Sequence, residues 1–323
     1  GLGDVYKRQY FFRYASEFGF QSFPSVKTLE TVTDDPKELN PFSYVMEKHQ
    51  RNYGGNGKIA KYMQAAYRYP ENFSDFVYVS QLLQADGIRY GVEHYRRNRG
   101  RCMGAIYWQL NDCWPVISWS SIDYYGRWKA LHYYAKRFFA PVMLSCEEQS
   151  WMTVEADMNR QHFEFEKSIR LNVTNETLDA HRVLVKWAVR KTDATILREE
   201  EQWLEVPALS AVWMDKVELP QIDCFNEYVS YEAWENDQII SQGTVIFSYP
   251  KYFHYLNPGL AVRVDGDEIV VKAEAYAKSV EIRNENDDLI LEDNYFDINA
   301  GEYRVKILDG KPDGLKVRSV YDI

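Results

Sequence analysis

The chain has 323 residues, of which 46% are hydrophobic and 27% charged, enough core material for two or three domains. Its formal net charge of −10 argues against nucleic acid as a partner, because phosphates demand clustered Lys and Arg. No apolar run approaches the length of a membrane span, so we expect no membrane partner either.

The first nine residues, GLGDVYKRQ, have neither the apolar region of a signal peptide nor the periodicity of a helix or strand. We expect residues 1–9 to be an artefactual leader. The chain then begins inside a predicted strand at Tyr10, which indicates that an N-terminal part is missing.

Residues 10–17, YFFRYASE, predict a buried strand, and a long helix is predicted from about Ser74 to Arg99. GRCMGAIYWQLND predicts a second buried strand, and GRWKALHYYAKRFFAP a helix that Pro141 ends. This alternation of strands and helices is typical of a parallel α/β sheet or barrel. In such barrels the active site lies at the carboxyl ends of the strands.

Beyond about Ser145 the pattern changes to alternating apolar and polar residues. Seven such runs between residues 145 and 249 are divided by turn-like breaks, as in an immunoglobulin-like sandwich. Shorter β segments within residues 250–323 predict a second, smaller sandwich. Neither sandwich shows a row of exposed aromatic residues at alternating positions. We therefore expect both to brace the barrel rather than to bind glycans.

The chain is rich in aromatic residues, at 15%, and composition alone favours a role in the core. The cysteines, Cys102, Cys113, Cys146 and Cys224, form no CxxC pair. This argues against a zinc site or a disulfide scaffold, and we expect buried free thiols.

Glu17 is the strongest candidate for a catalytic residue, because it lies at the end of the first predicted strand, close in sequence to the aromatic residues Tyr14, Phe18, Phe20 and Phe23. A nucleophilic carboxylate needs a rigid element and a partly dry pocket, which a barrel strand and aromatic rings would supply. A strand-end Glu that pairs with an Arg such as Arg13, or that faces solvent, fits the pattern equally well.

Trp108 ends the second predicted strand, where an indole could stack on the C–H face of a sugar or cap the barrel core. Trp114 follows in the same loop, with core packing the stronger alternative. Asn111, Asp112 and Asp123 could bond sugar hydroxyls, or form turns and cap the following helix. The six His have no metal-ligand spacing, and no GxSxG motif marks a nucleophilic Ser.

The motifs RYASEFGFQSFPS, GAIYWQLNDCWPVISWSSIDYYGRWKALHYYAKRFFAPV and LEDNYFDINAGE resemble the C-terminal half of family 2 glycoside hydrolases, and among them the β-mannosidases. The resemblance implies the seventh and eighth strands of a (β/α)8 barrel within residues 10–144. It implies immunoglobulin-like sandwiches within residues 145–249 and 250–323. It also implies that Glu17 is the nucleophile of a retaining exo-β-mannosidase and that Trp108 stacks on the sugar, with Trp114 and Asn111 nearby.

The same resemblance implies no metal or organic cofactor, and β-mannoside oligosaccharides or glycans as substrates. A retaining mechanism needs a second carboxylate roughly 5–5.5 Å from the first. In the family this acid/base belongs to an Asn-Glu pair far upstream, and no such pair in that context occurs here. We therefore expect a fragment that is inactive alone, whose partner is the missing N-terminal half.

Two alternatives stay open. Another family 2 exo-β-glycosidase, such as a glucosaminidase or galactosidase, or an endo-β-mannosidase, would keep the chemistry and change the substrate. A non-catalytic carbohydrate-binding or structural module would use the sandwiches alone. The compartment is equally open, since periplasmic, secreted and lysosomal locations all fit the family.

Overall fold

The computed structural model describes residues 10–154 and 164–323, so the leader expected at 1–9 lies outside the described residues. The chain divides into two compact units. One comprises Gly1–Ser16, Arg89–Ile106 and Lys136–Tyr255, and the other comprises Glu17–Ile88, Tyr107–Ala135 and Leu256–Ile323. Each unit is thus assembled from segments that are distant in the sequence.

The helices lie in the first half of the chain, and each long one follows the spacing of its apolar residues. They are α1 (Val26–Leu29), α2 (Tyr44–Lys48), α3 (Gly55–Ala66), α4 (Phe73–Arg97) and α5 (Ala130–Phe138). Ser25 and Ser43 cap α1 and α2 by accepting backbone N–H bonds. No helix in the described residues is long and apolar enough to cross a membrane.

A short pair of strands, β1 (Ala15–Phe18) and β2 (Ala105–Tyr107), forms a sheet of its own. The Ala15 amide donates to the Gly104 carbonyl over 2.9 Å, and the Trp108 amide donates to the Phe18 carbonyl over 2.8 Å. The two strands therefore run in the same direction. Both are shorter than predicted and largely exposed: β1 buries only Ala15, Ile106 of β2 is 51% exposed, and Tyr14, just before β1, is 53% exposed.

The middle sandwich is built entirely within the first unit. Its strands are β3 (Val142–Gln149), β4 (Ser168–Asn175), β5 (His181–Lys191), β6 (Ile196–Val206), β7 (Ser210–Trp213), β8 (Val217–Glu218), β9 (Glu227–Glu235) and β10 (Gln238–Ile246). One sheet has the order β3-β4-β7 with β8 beside β4, and the other has the order β10-β9-β5-β6.

Alternation along the strands of this sandwich buries one face of each sheet. Val183, Val185 and Trp187 of β5 are at most 3% exposed and pack in one apolar cluster with Leu171 and Val229. This is the immunoglobulin-like pattern that the sequence predicts. The first of the seven predicted runs, WMTVEADM at residues 151–158, is not a strand at its start: it begins as a 3-10 turn at Trp151–Thr153, and its remaining residues lie mostly outside the described part of the chain.

The small C-terminal sandwich belongs to the second unit. Its strands are β11 (Ala261–Asp265), β12 (Glu268–Ala273), β13 (Ala277–Arg283), β14 (Ile290–Leu291), β15 (Phe296–Ile298), β16 (Gly301–Asp309) and β17 (Lys316–Arg318). They form one sheet in the order β11-β12-β16-β14 and another in the order β15-β13-β17.

Buried polar contacts join this sandwich to helix α4 in the same unit. The hydroxyl of Tyr78 donates to the carbonyl of Ser279 over 2.6 Å, and both residues are at most 1% exposed. Arg318 bonds the carboxylates of Asp75, over 2.9 Å, and of Glu281. The small sandwich is therefore part of the unit that carries the candidate site.

The cysteines form no disulfide, as expected, but not all of them are buried. Cys102 and Cys146 are buried, Cys224 is half-buried, and Cys113 is exposed. The expectation of four buried thiols is thus wrong for Cys113, which lies in the loop after β2, and for Cys224, which is only half-buried.

Candidate active site

Glu17 and Trp108 lie at the carboxyl ends of the two parallel strands. Glu17 is the third residue of β1, and Trp108 directly follows β2. Because the amide of Trp108 donates to the carbonyl of Phe18, which follows Glu17, the backbones of the two strand ends are held side by side. The peptide bond between Trp108 and Gln109 is cis.

The side chain of Glu17 is exposed rather than enclosed by aromatic rings. No ion pair joins it to any residue among 10–154 and 164–323, which leaves the Arg-paired alternative without support. The indole of Trp108 is likewise 49% exposed. Both groups are therefore open to a ligand or to a further part of the protein.

Gly19 lets the strand ends approach each other closely. A Cβ atom at this position would lie 2.4 Å from the carbonyl oxygen of Trp108 and 2.9 Å from Cδ1 of Trp119. Contacts this short do not occur, so any side chain would push the two loops apart. The Gly two positions after Glu17 is thus a packing requirement of the site.

Helix α4 fixes the segment that follows Glu17 through a stripe of buried polar side chains. The Phe23 amide donates to the Ser80 hydroxyl over 3.1 Å, and Gln81 Nε2 donates to the Phe23 carbonyl over 3.1 Å. Gln84 Nε2 donates to the carbonyls of Phe20, at 2.8 Å, and Trp119, at 3.0 Å. Gln84, which is fully buried, therefore ties the loop after β1 to the loop after β2.

Lys129 makes a second tie between the same loops. Its Nζ donates to the carbonyls of Ser22 and Ser118, at 3.3 and 3.4 Å, and the side chain is buried. Burial lowers the pKa of Lys129 from 10.5 to about 7, while the carboxylates of Asp112 and Asp123 act in the opposite direction.

Asp112 organises the loop that follows Trp108. Its carboxylate accepts hydrogen bonds from the hydroxyls of Ser118 and Ser120, at 2.8 and 2.5 Å, and from Gln109 Nε2 at 3.1 Å. Asp123 accepts from the amides of its own turn and from Thr28. For Asp112 and Asp123 the structure thus supports the turn-forming alternative over sugar binding.

Asn111 and Trp114 are further from the strand ends along the loop. The side chain of Asn111 is exposed, and its carbonyl accepts from Gln109 Nε2 over 2.9 Å. Trp114 is half-buried, with His49 stacked at 5.0 Å and the Arg51 guanidinium 4.5 Å from the ring. The chain's own side chains therefore already contact the Trp114 ring.

Gln84 and Lys129 were not predicted from the sequence as residues of the site. A signal for Gln84 does exist, because Gln81 and Gln84 lie beside the apolar Leu82 and Leu83 of the long predicted helix. Buried polar side chains need partners, so such a placement indicates a bond to other backbone. Nothing in the sequence around Lys129 indicates that its ammonium is buried.

Comparisons with known proteins identify the two sandwiches. Residues 167–252 match a mannosidase Ig/CBM-like domain, and residues 255–323 match an Ig-fold domain of mannosidases. The β-mannosidase B of Thermothelomyces thermophilus is 30% identical over 96% of this chain. The chain is thus similar to β-mannosidases over most of its length.

Solved structures agree with this assignment. The β-D-mannosidase of Dictyoglomus thermophilum superposes over 98% of the chain and 38% of its own, with a TM-score of 0.83 and 25% identity. The exo-chitosanase of Amycolatopsis orientalis covers 98% of this chain and 44% of its own, with a TM-score of 0.67 and 17% identity, and shares the fold alone. The chain spans 39% of the Thermothelomyces enzyme, which is consistent with the C-terminal region of a β-mannosidase.

Proposed function

We propose that this chain carries the nucleophile of a retaining exo-β-mannosidase, with Glu17 as that nucleophile. The supporting observation is the position of Glu17 and Trp108 at adjacent ends of two parallel strands, in a chain related to β-mannosidases. Glu17 attacks the anomeric carbon of a terminal β-mannose and displaces the aglycone, and water then hydrolyses the glycosyl-enzyme ester. Trp108 stacks on the sugar, while Trp114 and Asn111 line the approach.

We further propose that β1 and β2, with their helices, are the seventh and eighth units of a (β/α)8 barrel. Two parallel strands cannot close a barrel, because closure needs a full ring of staggered strands. The exposure of Tyr14, Ile106 and Trp108 supports this proposal, since barrel strands otherwise bury such side chains. Domain boundaries at residues 144 and 249 belong to the same proposal.

The general acid/base belongs, on this proposal, to a part of the protein that this chain does not include. It protonates the leaving oxygen in the first step and removes a proton from water in the second. On this proposal the chain alone is inactive, because the group that protonates the aglycone lies in another part of the protein. Its partner in catalysis is the remaining part of the same protein.

Sugar selection is the least constrained part of the proposal. The exo-chitosanase shares the fold, so the fold does not discriminate mannose from glucosamine. A sister exo-β-glycosidase or an endo-β-mannosidase is the second candidate. A non-catalytic module is the third, and the strand-end carboxylate argues against it.

The test uses the protein expressed to the full length of its relatives. We expect hydrolysis of p-nitrophenyl β-mannoside with the β-anomer as first product, and at least about a 10³-fold lower kcat for Glu17→Gln. If the enzyme prefers a β-glucosaminide or a β-galactoside as substrate, it is one of the other exo-β-glycosidases and not a β-mannosidase. An α-anomer as first product, or full activity of Glu17→Gln, would refute the nucleophile.

A further inference from the structure

The outer face of the four-stranded sheet in the middle sandwich carries an apolar row that crosses all four strands. Leu184 of β5 pairs with Trp203 of β6 on one side and with Trp234 of β9 on the other. Trp234 pairs in turn with Ile239 of β10. Residues opposite each other in a sheet share a face, so these four side chains form one line.

This face is open rather than part of the core. Trp203 is 54% exposed and Ile239 42% exposed, whereas the neighbouring Val183 and Val185 on the inner face are fully buried. The two indoles lie two strands apart, a spacing of about 9.5 Å. That span is comparable to the length of a disaccharide.

Polar side chains border the row and fix its rings. The Trp234 Nε1 donates to the Glu232 carboxylate over 2.9 Å, and the Lys186 ammonium lies 5.2 Å from the centre of the same indole. The Arg182 guanidinium lies 4.5 Å from the centre of the Trp203 ring. A cation thus lies against each indole, and a carboxylate accepts a hydrogen bond from the edge of the Trp234 ring.

An open depression of about 400 Å³ adjoins the row on the same sheet. Ala188 and Ser230, a directly opposed pair of small residues, lie in it, and Lys186, Arg190, Glu201 and Glu232 contribute to its walls. Four carboxylates and two cations line it, which disfavours an anionic ligand such as a nucleic acid or a phospholipid headgroup. Neutral hydroxyl groups suit such a mixture of donors and acceptors.

We propose that this face, formed by Trp203, Leu184, Trp234 and the Ala188–Ser230 depression, is a binding site for a neutral β-linked oligosaccharide. The C–H faces of two sugar rings stack on the indoles, and hydroxyl groups of the chain hydrogen-bond the charged side chains of the depression. The site is separate from Glu17 and needs no bond to be broken. It is an alternative to the expectation of pure bracing for the middle sandwich, and it rests on a row that runs across strands and not along one.

The test measures binding by the full 323-residue chain, with no catalysis required. Affinity electrophoresis in gels that contain soluble β-mannan, and calorimetry with mannohexaose, give the association constant. We expect Trp203→Ala and Trp234→Ala each to weaken binding at least tenfold. Trp203→Phe, which keeps a ring and the fold, should stay within about threefold of the parent, and Leu178→Ala, at an exposed loop position of the same sandwich, should bind normally.

Glu17→Gln separates this proposal from the proposed function. Binding that survives Glu17→Gln and falls with Trp203→Ala supports the sheet site, whatever the outcome of the hydrolysis assay. If neither the parent chain nor any of its variants binds mannan, the proposal is wrong. A change of oligomeric state in Trp203→Ala by analytical ultracentrifugation would also overturn it, since the row would then be a contact between copies of the chain.

Discussion

The middle sandwich and the segment that carries Glu17 are held together by different forces. In the sandwich, valines and a tryptophan of β5 are buried against the opposite sheet, and apolar burial stabilises the fold. Around Glu17 the strands are short and exposed, and their ends are joined by Gln84 and Lys129. Removal of one polar group should therefore disturb the site far more than removal of one methyl group disturbs the sandwich.

This difference also separates the roles of the two regions. A core of interchangeable apolar residues tolerates substitution, because shape and volume are what it requires. A site fixed by a few buried hydrogen bonds tolerates substitution less well, since each buried polar group left unpaired costs its full desolvation free energy.

Gln84→Leu should produce the largest effect. It leaves the carbonyls of Phe20 and Trp119 without their donor, and we expect a loss of about 3 kcal/mol of stability in the unit that contains it. Hydrogen exchange monitors each unit separately and should show faster exchange around residues 20–23, with the middle sandwich unchanged. Gln221→Leu, at an exposed position of the turn after β8, is the matched control and should change stability by less than about 0.5 kcal/mol. Equal effects of the two variants would contradict the role of Gln84.

Gly19→Ala should separate the two strand ends. The new methyl group would meet the Trp108 carbonyl and the Trp119 ring, and we expect about 2 kcal/mol of destabilisation measured by urea unfolding. Gly57→Ala is the control, because a Cβ there meets nothing within 4 Å and lies within helix α3. That substitution should stabilise the chain by about 0.5–1 kcal/mol. If Gly19→Ala leaves the free energy of unfolding unchanged, the loops around Trp108 can move apart at little energetic cost.

Lys129 should make stability depend on pH. Because burial lowers its pKa to about 7, the folded chain binds this proton less tightly than the unfolded chain. Stability should therefore rise with pH between about 7 and 10.5, by at most about 1.4 kcal/mol per pH unit. Calorimetry at pH 7, 8 and 9 should show this rise in the parent relative to Lys129→Met. Parallel pH profiles of the two proteins would exclude a depressed pKa.

Tyr78→Phe should have the smallest effect. It removes the hydroxyl that donates to the Ser279 carbonyl and preserves the ring, so we expect a loss of about 1 kcal/mol. Tyr53→Phe, at a fully accessible position, serves as the control for loss of a hydroxyl. A thermal midpoint for Tyr78→Phe indistinguishable from that of the control would mean that this bond does not secure the small sandwich.

The sequence predicted the elements that have strong periodicity. The helix expected at 74–99 is α4 at Phe73–Arg97, and the run HRVLVKWAVRK is β5. β3 begins at Val142, earlier than the predicted onset at 145, because its first residues continue the apolar run after Pro141. Short strands such as β14 and β15 were missed, since two or three residues show no period.

The candidate site was predictable only in part. The positions of Glu17 and Trp108 follow from strand ends that share an edge. The hydrogen bonds that Gln84 and Lys129 donate depend on which loops are adjacent in the folded chain. A single sequence does not show which loops are adjacent. The row of Trp203, Leu184 and Trp234 was hidden for the same reason, because it depends on the register between strands.

Covalent labelling would show directly whether Glu17 is the nucleophile. The protein, expressed to the full length of its relatives, would be incubated with 2-deoxy-2-fluoro-β-mannosyl fluoride, and its peptides mapped by mass spectrometry. A stoichiometric fluoromannosyl ester on Glu17 is the predicted result, and it would establish the nucleophile, retention and acceptance of mannose together. An ester on any other carboxylate of an active sample would contradict the assignment of Glu17.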